Sequence, residues 1–236
     1  MSYEKSYSRT SGSEVSTFAV LMRNVYTWMT CALMMTGLTA MIVARNADWV
    51  MAIATNSVLL WTLLIAEIGL VFFISFCLNK ISFITAGLLF ALYAILNGVT
   101  MSFIMLVYTA ESIAQAFFVT AATFGGMSLY GYFTKRDLTG IGRVLIMGLW
   151  GLIVATLVNL FWHNDTLTSI LNYAGVIIFV GLTAYDTQKI KGMLTQAQYS
   201  GVNDQTNKLA LLGSIVLYLD FINLFLKLLS IMGKRK

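Results

Sequence analysis

The sequence predicts an all-α membrane protein with seven transmembrane helices, and three observations carry that prediction. Hydrophobic residues make up 58% of the 236-residue chain and charged residues 11%, against roughly 25% charged in soluble domains. Seven apolar runs each approach the ~20 residues that a helix needs to cross a hydrocarbon core ~30 Å thick. The connections between the runs are short. The chain therefore reads as a flexible tail, residues 1–17, followed by a single transmembrane domain, residues 18–236, with no soluble domain.

The tail is rich in Ser, Tyr and charge, offers almost nothing apolar to bury, and lacks the cleavable core of a signal peptide. Phe18, Met22 and Val25 begin a helical stripe that passes Arg23 and enters the first span, about Val25 to Ala44. The second span runs from Ser57 to Leu78 and the third from about Ile81 to Tyr108, long enough to tilt. The fourth covers Ser112 to Phe133, the fifth Val144 to Trp162 and the sixth about Thr168 to Thr187. The seventh is Leu209 to Met232. The chain contains no proline, so helix breaks must come from glycine or polar residues. Internal repeats of the kind that mark inverted-repeat transporters are absent from the sequence.

Charge placement orients the bundle. Seven crossings put Lys5, Arg9, Arg23, Lys80, Lys135, Arg136, Arg143, Lys189, Lys191 and Lys208 on one side, ten of the fifteen basic residues. Arg45, Lys227, Lys234, Arg235 and Lys236 fall on the other. Ten against five predicts a cytoplasmic N-terminus and an external C-terminus. The Lys234-Arg235-Lys236 end is the local dissent, and re-entry of the last run would turn the count to fourteen against one. A full-length last run favours crossing, with Lys227 snorkelling outward. Because the charges sit at the ends of apolar runs, their basicity does not point to nucleic acid.

The last run carries the most information. Asp220 lies near its midpoint, where a charge costs at least ~2.5–3.5 kcal/mol and should face protein or water. Gly213, Val216, Asp220, Asn223 and Lys227 recur at steps of three or four, making one small or polar stripe on an otherwise apolar helix. Asp186, at the edge of the sixth run, is the natural partner. Two carboxyl groups within hydrogen-bond distance cannot both ionise cheaply and titrate as a unit. The alternative is that each bonds its own neighbours. Depth bears on the choice, because Asp186 lies three residues from Lys189 while Asp220 lies eleven from Leu209, about 16 Å along a helix. They meet only if the seventh helix starts outside the bilayer or the sixth is tilted.

Other embedded polar groups are few. Glu67 can line a cation path or bond a neighbouring helix. Asn97, Asn159 and Asn223 suit interhelical hydrogen bonds. Gly125-Gly126 and Gly148 with Gly151 suggest close helix approach. His163, after Phe161-Trp162, reads as an interfacial anchor. Cys31 and Cys77 form neither a disulfide framework nor metal spacing. An enzyme is not expected. Paired aspartates on consecutive helices suit acid–base chemistry on water, but Asp220 follows Leu217-Tyr218-Leu219 where an intramembrane aspartyl protease needs G-x-G-D, and the proline motif of such enzymes is missing. No metal site, serine–histidine pair or phosphate loop offers another reaction.

Two segments carry a specific likeness. Ala184-Tyr185-Asp186-Thr187-Gln188-Lys189-Ile190-Lys191 and Leu217-Tyr218-Leu219-Asp220-Phe221-Ile222-Asn223-Leu224-Phe225 resemble the signatures of the transmembrane Bax-inhibitor-motif family. Thr134-Lys135-Arg136-Asp137-Leu138 is similar to that family's loop before the fifth helix. The resemblance covers nearly everything after residue 18 and is to bacterial inner-membrane members. It implies a central C-terminal helix wrapped by two groups of three. It implies a pH-sensitive calcium leak in the bacterial inner membrane, with calcium or other cations as cargo, no resident cofactor, and Asp186 and Asp220 as proton sensor. Glu67, Asn97, Asn223 and Lys80 are then pore or supporting residues. Where the bacterial leak pattern has an arginine cluster at the end of the second helix, this chain has Asn79-Lys80. Other bacterial relatives imply a second class of function, a non-channel regulator that binds a membrane-bound AAA protease.

Overall fold

A chain without proline must end its helices by other means, and short polar side chains do so here. In the computed structural model, Asn46 caps the short helix α2 (Ala47–Thr55) by accepting the Asp48 N–H at 3.1 Å, and Asn56 caps α3 (Ser57–Cys77) through the Leu59 N–H at 3.2 Å. Thr109 caps α5 (Ala110–Phe133) through Ser112, and Asn164 accepts the Leu167 N–H at the start of α7 (Asp165–Ala197). Asn203 and Thr206 exchange backbone-to-side-chain bonds, both 2.9 Å, at the start of α8 (Asp204–Met232). Each cap satisfies N–H groups that a helix terminus leaves without partners. The remaining helices are α1 (Ser2–Ala44), α4 (Phe83–Val107) and α6 (Thr139–Trp162), and a 3₁₀ turn, Gln198–Ser200, follows α7. Gly201, at φ +72°, then makes the left-handed step that turns the chain toward α8.

The structure describes residues 2–162 and 164–236, excluding the side chains of residues 2–16 and Ala54. His163, read as an interfacial anchor, lies outside them, as do the tail side chains.

Seven of these helices are long and apolar enough to cross a membrane: all but α2. The protein is thus an all-α, seven-span membrane protein. The extra helix, α2, was not predicted, because nine residues are too few to announce themselves by periodicity. The spans also run longer than their apolar cores. α6 begins at Thr139, five residues before Val144, because Asp137 accepts the Thr139 N–H at 2.9 Å. α7 continues ten residues past Thr187, since Ile190 and Leu194, one turn apart, are buried despite the flanking lysines. α8 stands apart in burial. Sixty-seven per cent of its apolar window is buried, against 6–39% for the other six spans.

The chain divides into two units, and α7 and α8 contribute to both. The first comprises Met1–Ile104 with Ile190–Tyr218. Within it, Trp28 meets Phe83 edge-on, Phe90 and Tyr93 both meet Tyr218 edge-on, and Gly213 lies against Ile190. Asn24 bonds Asn207, and the Asp204 carboxylate accepts the Phe83 N–H at 3.2 Å. A cavity of about 360 Å³ opens between Met193, Gln196, Gln205 and Leu209.

The second comprises Met105–Lys189 with Leu219–Lys236. There Phe117 and Phe124 both pack edge-on against Phe221. Asn159 donates to Thr168 at 2.7 Å and accepts from the Asn164 N–H, closing the α6–α7 turn as expected of an interhelical asparagine. The C-terminal residues pair in antiparallel fashion with the α4–α5 connection: Lys236 N–H bonds the Val107 carbonyl, and Thr109 N–H bonds the Lys234 carbonyl. The chain end therefore lies at the same end of this unit as residues 107–109. Four spans separate the two, an even number, so this pairing suits four full crossings and not re-entry.

The glycines need correction. Gly125, Gly126 and Gly151 have nothing within 4 Å of where a Cβ would stand, and Gly148 only makes ordinary-to-tight contact with Ile178. Close approach instead occurs at Gly98, which abuts Thr36 and Thr39, and at Gly131 and Gly142. Spacing identified small residues without identifying which face of each helix they occupy.

Candidate functional site

In the second unit, five consecutive residues of α7 each meet a different part of the structure. The Ala184 backbone lies against Gly131 of α5, where a Cβ would strike its carbonyl. The Tyr185 ring covers Gly142 of α6. Asp186 hydrogen-bonds Asp220 of α8. Thr187 donates to Ser128 of α5 at 3.3 Å, with both side chains buried. Gln188 accepts the Leu138 N–H at 2.9 Å and donates to the Arg136 carbonyl at 2.8 Å, gripping the α5–α6 loop with both ends of its amide. Successive residues on a helix step by about 100°, so a contiguous run can touch neighbours on every side. Two of the five contacts exist because glycine lets a backbone or a ring come close.

The carboxyl pair is the chemical centre of this arrangement. Asp220 is 5% exposed, and its Oδ2 is buried with no hydrogen-bond partner among the described residues. Ionised carboxylates only accept hydrogen bonds. A bond between two carboxyl groups therefore requires at least one proton on the pair. The depth problem raised by the sequence is resolved by the lengths of the helices. From Asp186, eleven residues of α7 and the three of the 3₁₀ turn span about 22 Å. From Asp204, sixteen residues of α8 span about 24 Å to Asp220. Both helices run on before the chain turns, so the two carboxyls reach equal depth.

The other predicted residues are placed differently. Asn223 donates to the Leu219 carbonyl of its own helix at 2.8 Å, one turn from Asp220. Lys80 is exposed in the turn between α3 and α4. Lys227, the snorkelling candidate, donates to Asn172 at 3.5 Å and lies along Gly175. Lys189 stands 6.0 Å from the centre of the Tyr185 ring, within cation–π range.

Glu67 and Asn97 belong to a separate cluster in the first unit. Thr100 donates to Glu67 Oε1 at 2.5 Å, and the Asn97 amide meets Oε2 at 3.3 Å. The same amide meets the Tyr218 hydroxyl at 3.2 Å, and that hydroxyl meets Thr36 at 2.7 Å. Sequence reasoning singled out neither Thr36, Thr100, Gln188 nor Ser128. Threonine and serine within an apolar run carry little signal, because they commonly bond their own helix backbone. Tyr218 is fully buried with a polar tip, a combination that calls for a partner, but burial is not legible from its place in an apolar run.

Comparison with known proteins matches residues 19–236 to a family described as "Inhibitor of apoptosis-promoting Bax1". The chain is 48% identical over 217 residues to the inner membrane protein YbhL of Escherichia coli K12, covering 91% of this chain and 92% of that one. It is 44% identical over 215 residues to a protein of Borreliella burgdorferi, covering 91% and 92%. It is 40% identical over 216 residues to protein RP147 of Rickettsia prowazekii, covering 91% and 89%.

Proposed function

The chain belongs to the Bax inhibitor family, and on that premise we propose that it is a pH-sensitive leak for calcium or other cations in the bacterial cytoplasmic membrane. It works without a resident cofactor and is not an enzyme; the ion is cargo. The Asp186–Asp220 pair is the sensor. The observation that carries this reading is the hydrogen bond between two acidic side chains, one of them almost wholly buried, on two membrane-spanning helices.

The sign follows from the proton count. The bond is intact while the pair keeps a proton, and it is lost as pH rises until both groups are ionised. Two carboxylates about 4 Å apart, at an effective dielectric of about 20, then repel by about 4 kcal/mol. At ~1.4 kcal/mol per tenfold change, that moves a two-state equilibrium by nearly three powers of ten. α7 and α8 are held together by the protonated pair and driven apart by the ionised one.

The test is calcium flux in proteoliposomes across pH. Asp186→Asn and Asp220→Asn each preserve shape and hydrogen bonding but remove the shared titration. Flux through either should become nearly independent of pH between about 5 and 8, the interval to which a carboxyl at a functional site is tuned. If both single variants keep the wild-type profile, the pair is structural. If wild-type protein passes no calcium at any pH, the leak is wrong, and a regulator that binds a membrane AAA protease becomes the reading to pursue.

A further inference from the structure

The first unit contains a second buried acid whose network of hydrogen bonds cannot be fully satisfied while it is ionised. Five contacts form an unbranched chain: Thr100 to Glu67 Oε1, Glu67 Oε2 to the Asn97 amide, the amide to Tyr218, Tyr218 to Thr36, and Thr36 to the Ala94 carbonyl at 2.9 Å. They link α3, α4, α8 and α1. Glu67 and Asn97 are each 8% exposed, Thr36 3% and Tyr218 0%. None involves Asp186 or Asp220.

Each hydroxyl owns one proton, and a carbonyl or an ionised carboxylate owns none. With Glu67 ionised, the Asn97 amide must turn its NH₂ toward Oε2 and its oxygen toward Tyr218. Tyr218 then donates to Asn97, Thr36 must donate to Tyr218, and the Ala94 carbonyl loses the Thr36 proton. With a proton on Oε2, the amide turns over, since its two ends are nearly the same shape. Glu67 donates to Asn97, Asn97 to Tyr218, Tyr218 to Thr36, and Thr36 to Ala94. All five contacts are then made.

We propose that Glu67 is an exchangeable proton-binding site, separate from the aspartate pair, and that Asn97 relays its state to the Tyr218–Thr36 hydroxyls. Proton uptake reverses three bonds and completes the tie between α1 and α4 at Thr36. The titratable groups that sense Glu67 are the phenols Tyr93 of α4 and Tyr218 of α8. Among the described residues no other ionisable side chain acts on its carboxyl. Thr36 and Tyr218 are thus positioning residues, acting on Glu67 only through Asn97.

Infrared difference spectroscopy of the full chain in bilayers, titrated with pH, reads the protonated carboxyl directly, and Glu67→Gln identifies its band. Tyr218→Phe frees Thr36 to bond Ala94 in both states, and Thr36→Val removes the acceptor that Tyr218 needs only in the protonated state. Both should move the Glu67 midpoint to lower pH by up to about one unit, the share of one hydrogen bond. Thr36→Ser should restore it. Thr100→Val should move it upward, because a donor bonds the charged form more strongly. The rival location for the proton is Oε1, from which Thr100 turns to the Leu96 carbonyl 3.3 Å away and Asn97 stays as it is. In that case the Thr36 and Tyr218 variants leave the midpoint unmoved, which overturns the relay. A Glu67 band that never titrates overturns the site itself. Neither outcome depends on calcium flux, so failure of the leak reading and failure of this one are distinguishable.

Discussion

At Gly131 and Gly142 a single hydrogen atom sets how closely α7 approaches its neighbours. A Cβ at Gly131 would strike the Ala184 carbonyl, and one at Gly142 would enter the Tyr185 ring. Backbone and ring are both poor at yielding, so Gly131→Ala and Gly142→Ala should each cost about 1–3 kcal/mol through overpacking. Gly126 offers the contrast. It sits in a helix with open space at its Cβ, so Gly126→Ala should be neutral or stabilise by up to about 1 kcal/mol through helix propensity. Thermal unfolding of the three variants in one detergent checks the ordering; equal effects would mean that the close contacts carry no weight. The two costly substitutions press on Ala184 and Tyr185, next to Asp186, so they should also disturb the aspartate pair.

At the scale of elements, Gln188 of α7 bonds the α5–α6 loop at two points. The two Gln188 bonds to Leu138 and Arg136 together contribute about 1–3 kcal/mol at ~0.5–1.5 kcal/mol each. Gln188→Ala should release the loop, and trypsin should cut after Lys135 and Arg136 several times faster while the spans remain intact. An unchanged rate would show that the loop is fixed by something else. Asp137, beside them, has its carboxyl held below the ordinary range by its bonds with Thr139 at the start of α6. A lowered carboxyl contributes stability that is present at neutral pH and is lost as pH falls through the lowered value. Hydrogen exchange in the first turn of α6 should therefore stay slow through mildly acidic pH and rise only below the ordinary aspartate range; Asp137→Asn should flatten that dependence.

At the scale of the molecule, the question is which side of the membrane each end occupies. The ten-to-five charge count favours a cytoplasmic N-terminus, and the pairing of Lys234–Lys236 with residues 107–109 joins two segments separated by an even number of spans. Together they predict an external C-terminus. A reporter fused after Lys236 should be active only if it folds outside; a cytoplasmic signal would reverse the orientation. The tail pairing has its own requirement, since a Cβ at Gly233 would meet the Leu229 carbonyl and the Tyr108 ring. The basic end is thus held by backbone bonds and close packing.

The sequence by itself determined the class of fold and the number of spans, and it singled out the two acids that the structure brings together. Burying a backbone or a charge in lipid is so costly that apolar length and rare carboxyls are informative one by one. Asp186 and Asp220 were legible as candidates for that reason, and so was Glu67. Whether the two aspartates meet was a tertiary matter. It turned on Ile190 and Leu194 carrying α7 past Lys189, and on Asn203 and Thr206 starting α8 at Asp204, five residues before Leu209. The same limit applies to glycine: Gly125 and Gly126 look as suited to close packing as Gly131, and only the rotation of α5 decided between them. Thr36, Thr100 and Gln188 were invisible for a related reason. A hydroxyl or amide has too little transfer cost to stand out along a helix, so its role is defined by the partner that packing brings within 3 Å.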